Sequence, residues 1–137
     1  MARNEEAKIQ AAIVQWCGSV APECLIFAVP NGGLRSKSEA ALFKWTGVVA
    51  GIPDLIVLVP GGRALFLEVK TETGVVSDVQ RQMMMTMQSL GFQTAVVRSI
   101  EDTTKAFAAW GISTREAPAP RQATFPQFER DAVQSHG

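Results

Sequence analysis

The sequence predicts an α/β domain, a small mixed β-sheet flanked by helices in the order α-β-α-β-β-α-β-α. Two helical periodicities carry this reading, one near the N-terminus and one after residue 77. Short β-branched and aromatic runs lie between and after them, each bounded by Gly, Pro or Asn. Strands that alternate with helices in this way build one layered sheet rather than separate units.

Each element has a local cause. Residues 5–17, EEAKIQAAIVQWC, place Ile9, Ile13 and Trp16 at helical spacing, and Gly18 predicts a stop. Leu25–Val29 reads as a strand ended by Pro30-Asn31-Gly32-Gly33. Ser38 is the expected N-cap of a short helix over Glu39–Trp45, closed near Gly47. Asp54–Val59 and Ala64–Lys70 read as strands joined through Pro60-Gly61-Gly62-Arg63, a tight-turn signature. Ser77 opens a long helix with Val79, Met83, Met87 and Leu90 on one face and Gly91 beyond its end. Gln93–Arg98 predicts a strand, and Glu101–Trp110 a last helix. The four methionines at 83–85 and 87 are expected to fill core or to meet a second subunit. From Ser113 onward Pro118, Pro120 and Pro126 break regular structure. The expected division is a folded domain over 1–112 and a Pro-rich tail over 113–137, with Phe125 and Phe128 as docking side chains.

Composition removes several classes of function. A chain of 137 residues suits one domain with one core. No run approaches the ~18 apolar residues of a membrane span. The polar, acidic start MARNEEAKIQ is unlike a signal peptide, so a cytoplasmic protein is expected, with no membrane partner and no organic cofactor. Cys17 and Cys24 lack metal-ligand partners at useful spacing, and the lone His136 makes a zinc site a poor reading. Both cysteines are expected to be reduced. The 13 basic and 13 acidic residues balance, so any nucleic-acid interface must come from local clustering.

The stretch GIPDLIVLVPGGRALFLEVK holds the chemistry. Strand alternation puts Leu65, Leu67 and Val69 on one face and Phe66, Glu68 and Lys70 on the other. With Gly61-Gly62 as a two-residue turn, Asp54 falls opposite Val69; a slip of one residue leaves it near both Glu68 and Lys70. A Glu-Lys pair alone reads as a solvated surface ion pair. The addition of Asp54, in a poor strand former's position before five apolar residues, points instead to a hard-metal site. Two carboxylates from adjacent strands suit Mg²⁺ or Mn²⁺, and a nearby Lys suits stabilisation of charge on a phosphate.

Pro53-Asp54, followed after thirteen residues by Glu68-Val69-Lys70, resembles the PD-(D/E)xK nuclease motif. More narrowly, the chain resembles the virus-type replication-repair nuclease (VRR-NUC) family. The matching stretches are "NGG" with Arg35, "GIPDLIVL", "PGGRALFLEVK", "SDVQ" and "GFQTAVVRSIED", over roughly residues 5–105. The resemblance implies a restriction-endonuclease-like core, with residues 1–112 as the nuclease domain. It also implies Asp54, Glu68 and the Val69 carbonyl as ligands of Mg²⁺ or Mn²⁺, and Lys70 as the catalytic lysine. Glu6 and Gln80 occupy the places of the family's first-helix acid and post-motif Gln. Each has a plainer reading: Glu6 as a first-turn acid favoured by the helix dipole, Gln80 as the far end of a capping box with Ser77. The two roles of Gln80 are expected to exclude one another.

The basic, Gly-rich segment PNGGLRSKSEAALFKW precedes this site. Asn31, Arg35, Lys37 and Lys44 are its candidate DNA contacts, with an ordinary solvated turn as the plainer account. The resemblance implies a DNA endonuclease selective for branched DNA such as four-way junctions, active in viral or mobile-element replication and repair. A homodimer follows if both strands of a symmetric junction are cut. Two other readings stay open: a non-catalytic DNA-binding module with the nuclease fold, and a flap or RNA-directed nuclease.

Overall fold

The structure is a computed structural model and describes residues 2–30, 41–42 and 44–115. Helix α1 (Ala2–Val20) leads into β1 (Leu25–Ala28), and the hairpin β2 (Leu55–Val59) and β3 (Arg63–Val69) follows. Then come α2 (Asp78–Ser89), β4 (Gln93–Val97) and α3 (Ile100–Ala109). Between β1 and β2, residues 41–42 and 44–45 are helical, which agrees with the C-terminal half of the helix expected to Trp45. Ser38 and Glu39 lie outside the described residues, as do Phe125, Phe128 and His136.

The four strands form one sheet in the order β1-β2-β3-β4. β1 and β2 pair antiparallel, as do β2 and β3, whereas β3 and β4 are parallel. A parallel pair cannot be joined by a tight turn, and α2 is the crossover that joins this one. The mixed α/β architecture is therefore the one expected.

One face of the sheet is the core. Leu55, Val57, Leu65, Leu67, Val69 and Val97 pack there with Ile13, Cys17 and Val20 of α1 and Phe107 of α3. Burying each such aliphatic side chain stabilises the fold by roughly 1.5–3 kcal/mol. Trp16 and Phe107 meet with ring centroids 5.3 Å apart, tying α1 to α3. Burial also explains why α1 does not stop at Gly18: Val20 is 2% exposed, and Ala21 donates to the Cys17 carbonyl. The apolar contacts of that last turn outweigh the ~1 kcal/mol cost of a helical glycine.

The hairpin corrects the expected register. The connection has three residues, Pro60 to Gly62, with both glycines at positive φ, 94° and 83°. Val59 pairs with Arg63 and Leu55 with Leu67, so the next pair outward is Asp54 with Glu68, not Val69. A one-residue difference in register exchanges faces. The observed one points Asp54 and Glu68 to the same side.

That side is the second face, covered by α2 only near β4. Phe66 meets Phe92 edge-on at 5.6 Å. The buried side chain of α2 is Met84, whereas Val79 and Leu90 are 55% and 71% exposed, so the apolar stripe is rotated from the one expected. Met83 and Met87 are half-buried and Met85 is exposed. Gln80 is half-buried and takes a sheet-facing position, where it donates to Glu68.

Candidate active site

Glu68 is the centre of the site. It is 1% exposed, the most buried charged residue described, and it lies on the α2 side of β3. Its Oε2 accepts from the Gln80 side-chain amide at 3.1 Å and lies 3.8 Å from Lys70 Nζ. Its Oε1 is buried with no hydrogen-bond partner. Asp54 stands next to it, close enough to share a proton, and Asp54 Oδ2 accepts from the Val69 backbone N–H at 2.8 Å. Loss of hydration, then the neighbouring Asp54, push the Glu68 carboxyl up to about 8, with Lys70 pulling the other way and Glu6 adding a smaller push.

Such an arrangement is costly for a fold by itself. A buried polar atom left unpaired costs about 1–3 kcal/mol, and more when charged. Two carboxylates in contact need a shared proton or a cation between them. The donor set therefore fits a divalent ion: hard oxygens, an acceptor without a donor, and two negative charges side by side. Asp54 and Glu68 would hold it, with the Val69 carbonyl at the same strand end. Among the described residues no three His, Cys, Asp or Glu side chains converge as a closed cage.

Gln80 resolves the question posed by its two roles, because its amide performs both. Oε1 accepts from the Ser77 backbone N–H at 3.0 Å while Nε2 donates to Glu68. Ser77 Oγ accepts from the Gln80 N–H, which completes the capping box. An amide has an acceptor and a donor end, so capping and carboxylate binding use different atoms. The expected exclusion does not hold.

Glu6 is half-buried and its charge acts on Glu68, whereas Glu5 is exposed and paired with Lys8 at 3.5 Å. The preference for Glu6 over Glu5 agrees with that placement. Lys70 is half-buried, with its side chain 12% exposed. Lys44 is exposed on the short helical turn. Asn31, Arg35 and Lys37 lie outside the described residues. The structure thus brings together Glu6, Asp54, Glu68, Val69, Lys70 and Gln80. A groove of about 410 Å³ runs beside α2, lined by Ala50, Val79, Gln82 and Met83 among others, and none of the clustered residues lines it. The cysteines stand apart from this chemistry. Both are free thiols, and burial pushes Cys17 up to about 12.

The loop after Lys70 holds one feature that sequence reading left without a role. Arg98, at the end of β4, places Nη1 2.6 Å from the Thr71 carbonyl and 2.7 Å from that of Gly74, with Glu72 O at 3.3 Å. Its position directly after an apolar strand, at the same sheet end as Lys70, was the available signal.

A buried Glu68, a half-buried Asp54 and a lysine stand together at one end of the mixed sheet of an α/β protein. The VRR-NUC domain family matches residues 4–101, and the chain belongs to that family. No protein of curated function matches it. Among solved structures, one described as a VRR_NUC domain protein superposes with a TM-score of 0.62 at 21% identity, covering 80% of this chain and 90% of that one. A second, described as a VRR_NUC domain, gives 0.55 at 21% identity over 77% and 97% of the two chains. At such identity these two speak for the fold.

Proposed function

We propose that the protein is a metal-dependent DNA endonuclease that hydrolyses phosphodiester bonds. Its proposed substrates are branched DNAs such as four-way junctions, in viral or mobile-element replication and repair. The observation that carries this reading is the buried Glu68, with Oε1 unpartnered, beside Asp54 and Lys70.

When bound at Asp54 and Glu68, Mg²⁺ or Mn²⁺ makes water a better nucleophile and offsets negative charge on the scissile phosphate. The chain's own residues do the rest. Gln80 holds the Glu68 carboxylate by one oxygen and leaves the other to face the site. The Val69 N–H holds Asp54 in the same way. The Lys70 ammonium, screened little by solvent, donates to a phosphate oxygen or to the attacking water as charge builds. Glu6, whose charge acts on Glu68, accepts a proton or a hydrogen bond from that water in this reading. Addition of water at phosphorus with cleavage of the P–O3′ bond leaves a 5′-phosphate and a 3′-hydroxyl. Lys44, with Asn31, Arg35 and Lys37, supplies phosphate contacts that position DNA without reading bases.

The test is a panel of duplex, single-stranded, flap and four-way junction DNA, incubated with Mg²⁺ or Mn²⁺. Paired nicks in the junction are expected from the wild type. Glu68→Ala is expected to lose cutting by at least about 10³-fold while retaining junction binding, since a hard-ion site loses a ligand. Cutting retained in that variant sinks the metal-ligand assignment.

A further inference from the structure

We propose that Arg98 is a positioning residue of this site: its guanidinium clamps the Thr71–Gly74 turn and thereby sets Gln80 against Glu68 and Lys70. The inference rests on the nuclease reading for its kinetic consequence, but not for its geometry.

The turn lies in the covalent connection between the β3 part of the cluster and its α2 part. Glu68 and Lys70 stand at the end of β3, Gln80 in the first turn of α2, and residues 71–77 connect them. A connection of this length can hold many separations of its ends unless something restrains it. Three main-chain carbonyls, of Thr71, Glu72 and Gly74, converge on Arg98 Nη1. The two hydrogens of that nitrogen match the two short contacts, and the longer one is shared. Hydrogen bonds from a cation to carbonyl oxygens are stronger than neutral ones, and among the described residues Arg98 has no carboxylate ion pair to compete.

The clamp is rooted on the sheet. The Val97 carbonyl accepts from the Lys70 N–H at 3.0 Å, so the residue beside Arg98 holds the start of the turn. The Arg98 N–H donates to Asp102 Oδ2 at 2.9 Å, at the N-terminus of α3. The far end of the turn is closed independently. Gly74 N–H donates to Thr71 O at 3.1 Å, and a Cβ on Gly74 would stand 2.9 Å from Thr71 Oγ1. A Cβ there would also stand 3.3 Å from Thr71 N, so an alanine crowds the turn in which both outer carbonyls face one nitrogen. A guanidinium half-buried and committed to carbonyls in this way is poorly placed to bind DNA phosphate.

Arg98→Ala, Arg98→Lys and Gly74→Ala test the clamp in the full-length protein. Loss of a residue that orients ligands lowers activity or metal affinity by about 10- to 100-fold. The cleavage rate at saturating metal and DNA is expected to fall in that range in all three. The KM for DNA should stay within about 2-fold, and the salt dependence of binding should be unchanged. Free guanidinium should restore rate to Arg98→Ala and not to Gly74→Ala. The double variant should lose little more than either single, because both act on one turn. Independently of cleavage, the Gly74 amide should exchange about tenfold faster in Arg98→Ala, and the Gln80 side-chain amide resonances should shift.

Three results overturn the proposal. A raised KM with the salt slope reduced by about one marks Arg98 as a phosphate contact. Unchanged exchange at Gly74 and unmoved Gln80 resonances show that nothing was clamped. A rate loss that follows the melting temperature, with no guanidinium rescue, reduces Arg98 to general stability. A wild type that cuts none of the DNAs defeats the nuclease reading, and the exchange and Gln80 measurements still decide the clamp.

Discussion

Glu68 shows how far one side chain can be held from its own preference. Its pKa in the folded chain, pushed up to about 8, lies above the ordinary 4.5, so the folded protein keeps a proton that the unfolded chain has released. Between those two values the folded state binds more protons. In chelator, stability therefore falls as pH rises through that window and levels off above it. Glu68→Gln removes the titration, and its melting temperature is expected to be flat over the same range. Added divalent ion should raise the wild-type melting temperature more at the alkaline end than at the acid end, since it replaces the proton between Asp54 and Glu68. Thermal melts across pH check this, and parallel curves for the two proteins would refute it. Lys70 and Asp54 were legible as partners of Glu68 because strand alternation and a short turn bring them together under either register. The burial of Glu68 was not legible, because it depends on α2 lying over that end of the sheet.

Among the elements, α2 does the most to assemble the site. Its N-terminus is fixed by the Ser77–Gln80 capping box, and the same Gln80 reaches across to β3. The loop before β2 supports it from below: Gly51 has φ of 82°, and a Cβ there would stand 2.8 Å from the Val79 carbonyl. Gly51→Ala is expected to cost about 1–3 kcal/mol from backbone strain alone, with the clash displacing α2. Chemical denaturation measures the stability loss, and a weaker cleavage rate should accompany it. A variant as stable as wild type would show that the loop is free to move away. The GIPD sequence marks this glycine as a turn residue, but its contact with a helix 28 positions later was not readable from the sequence. The rotated stripe of α2 has the same origin. Hydrophobic spacing selected Val79 and Leu90, and the sheet selected Gln80 and Met84 instead.

Over the whole molecule the charges cancel, with 13 of each sign, so under the proposed function long-range attraction to DNA would be weak and local contacts would carry binding. Each phosphate contact contributes about one unit to the slope of log affinity against log salt. Lys44→Ala is expected to reduce that slope by about one with little change in preference among DNA sequences. An unchanged slope would remove Lys44 from the interface. Cutting both strands of a symmetric junction needs two sites, and a homodimer is the proposed assembly. Leu25, Phe27 and Leu58 are exposed on one part of the second sheet face, and Met85 and Leu90 on α2. Size exclusion with light scattering should return twice the 14.8 kDa chain mass. A monomer at assay concentration would contradict paired cleavage. No described helix is long and apolar enough to cross a membrane.

The sequence by itself determined the α/β order, the hairpin, the capping box and the family, because each rests on residues close in the chain and on local periodicity. It also brought the proposed site residues together, since PD and ExK on paired strands meet across one turn. Tertiary structure decided the rest. The three-residue connection set a register that puts Asp54 and Glu68 on one face. The packing of α2 buried Glu68 and let Gln80 cap a helix and hold a carboxylate at once. The Arg98 contacts with Thr71 and Gly74 join residues more than twenty positions apart, a distance over which spacing and propensity say nothing. Only the folded chain brings those atoms within a hydrogen bond.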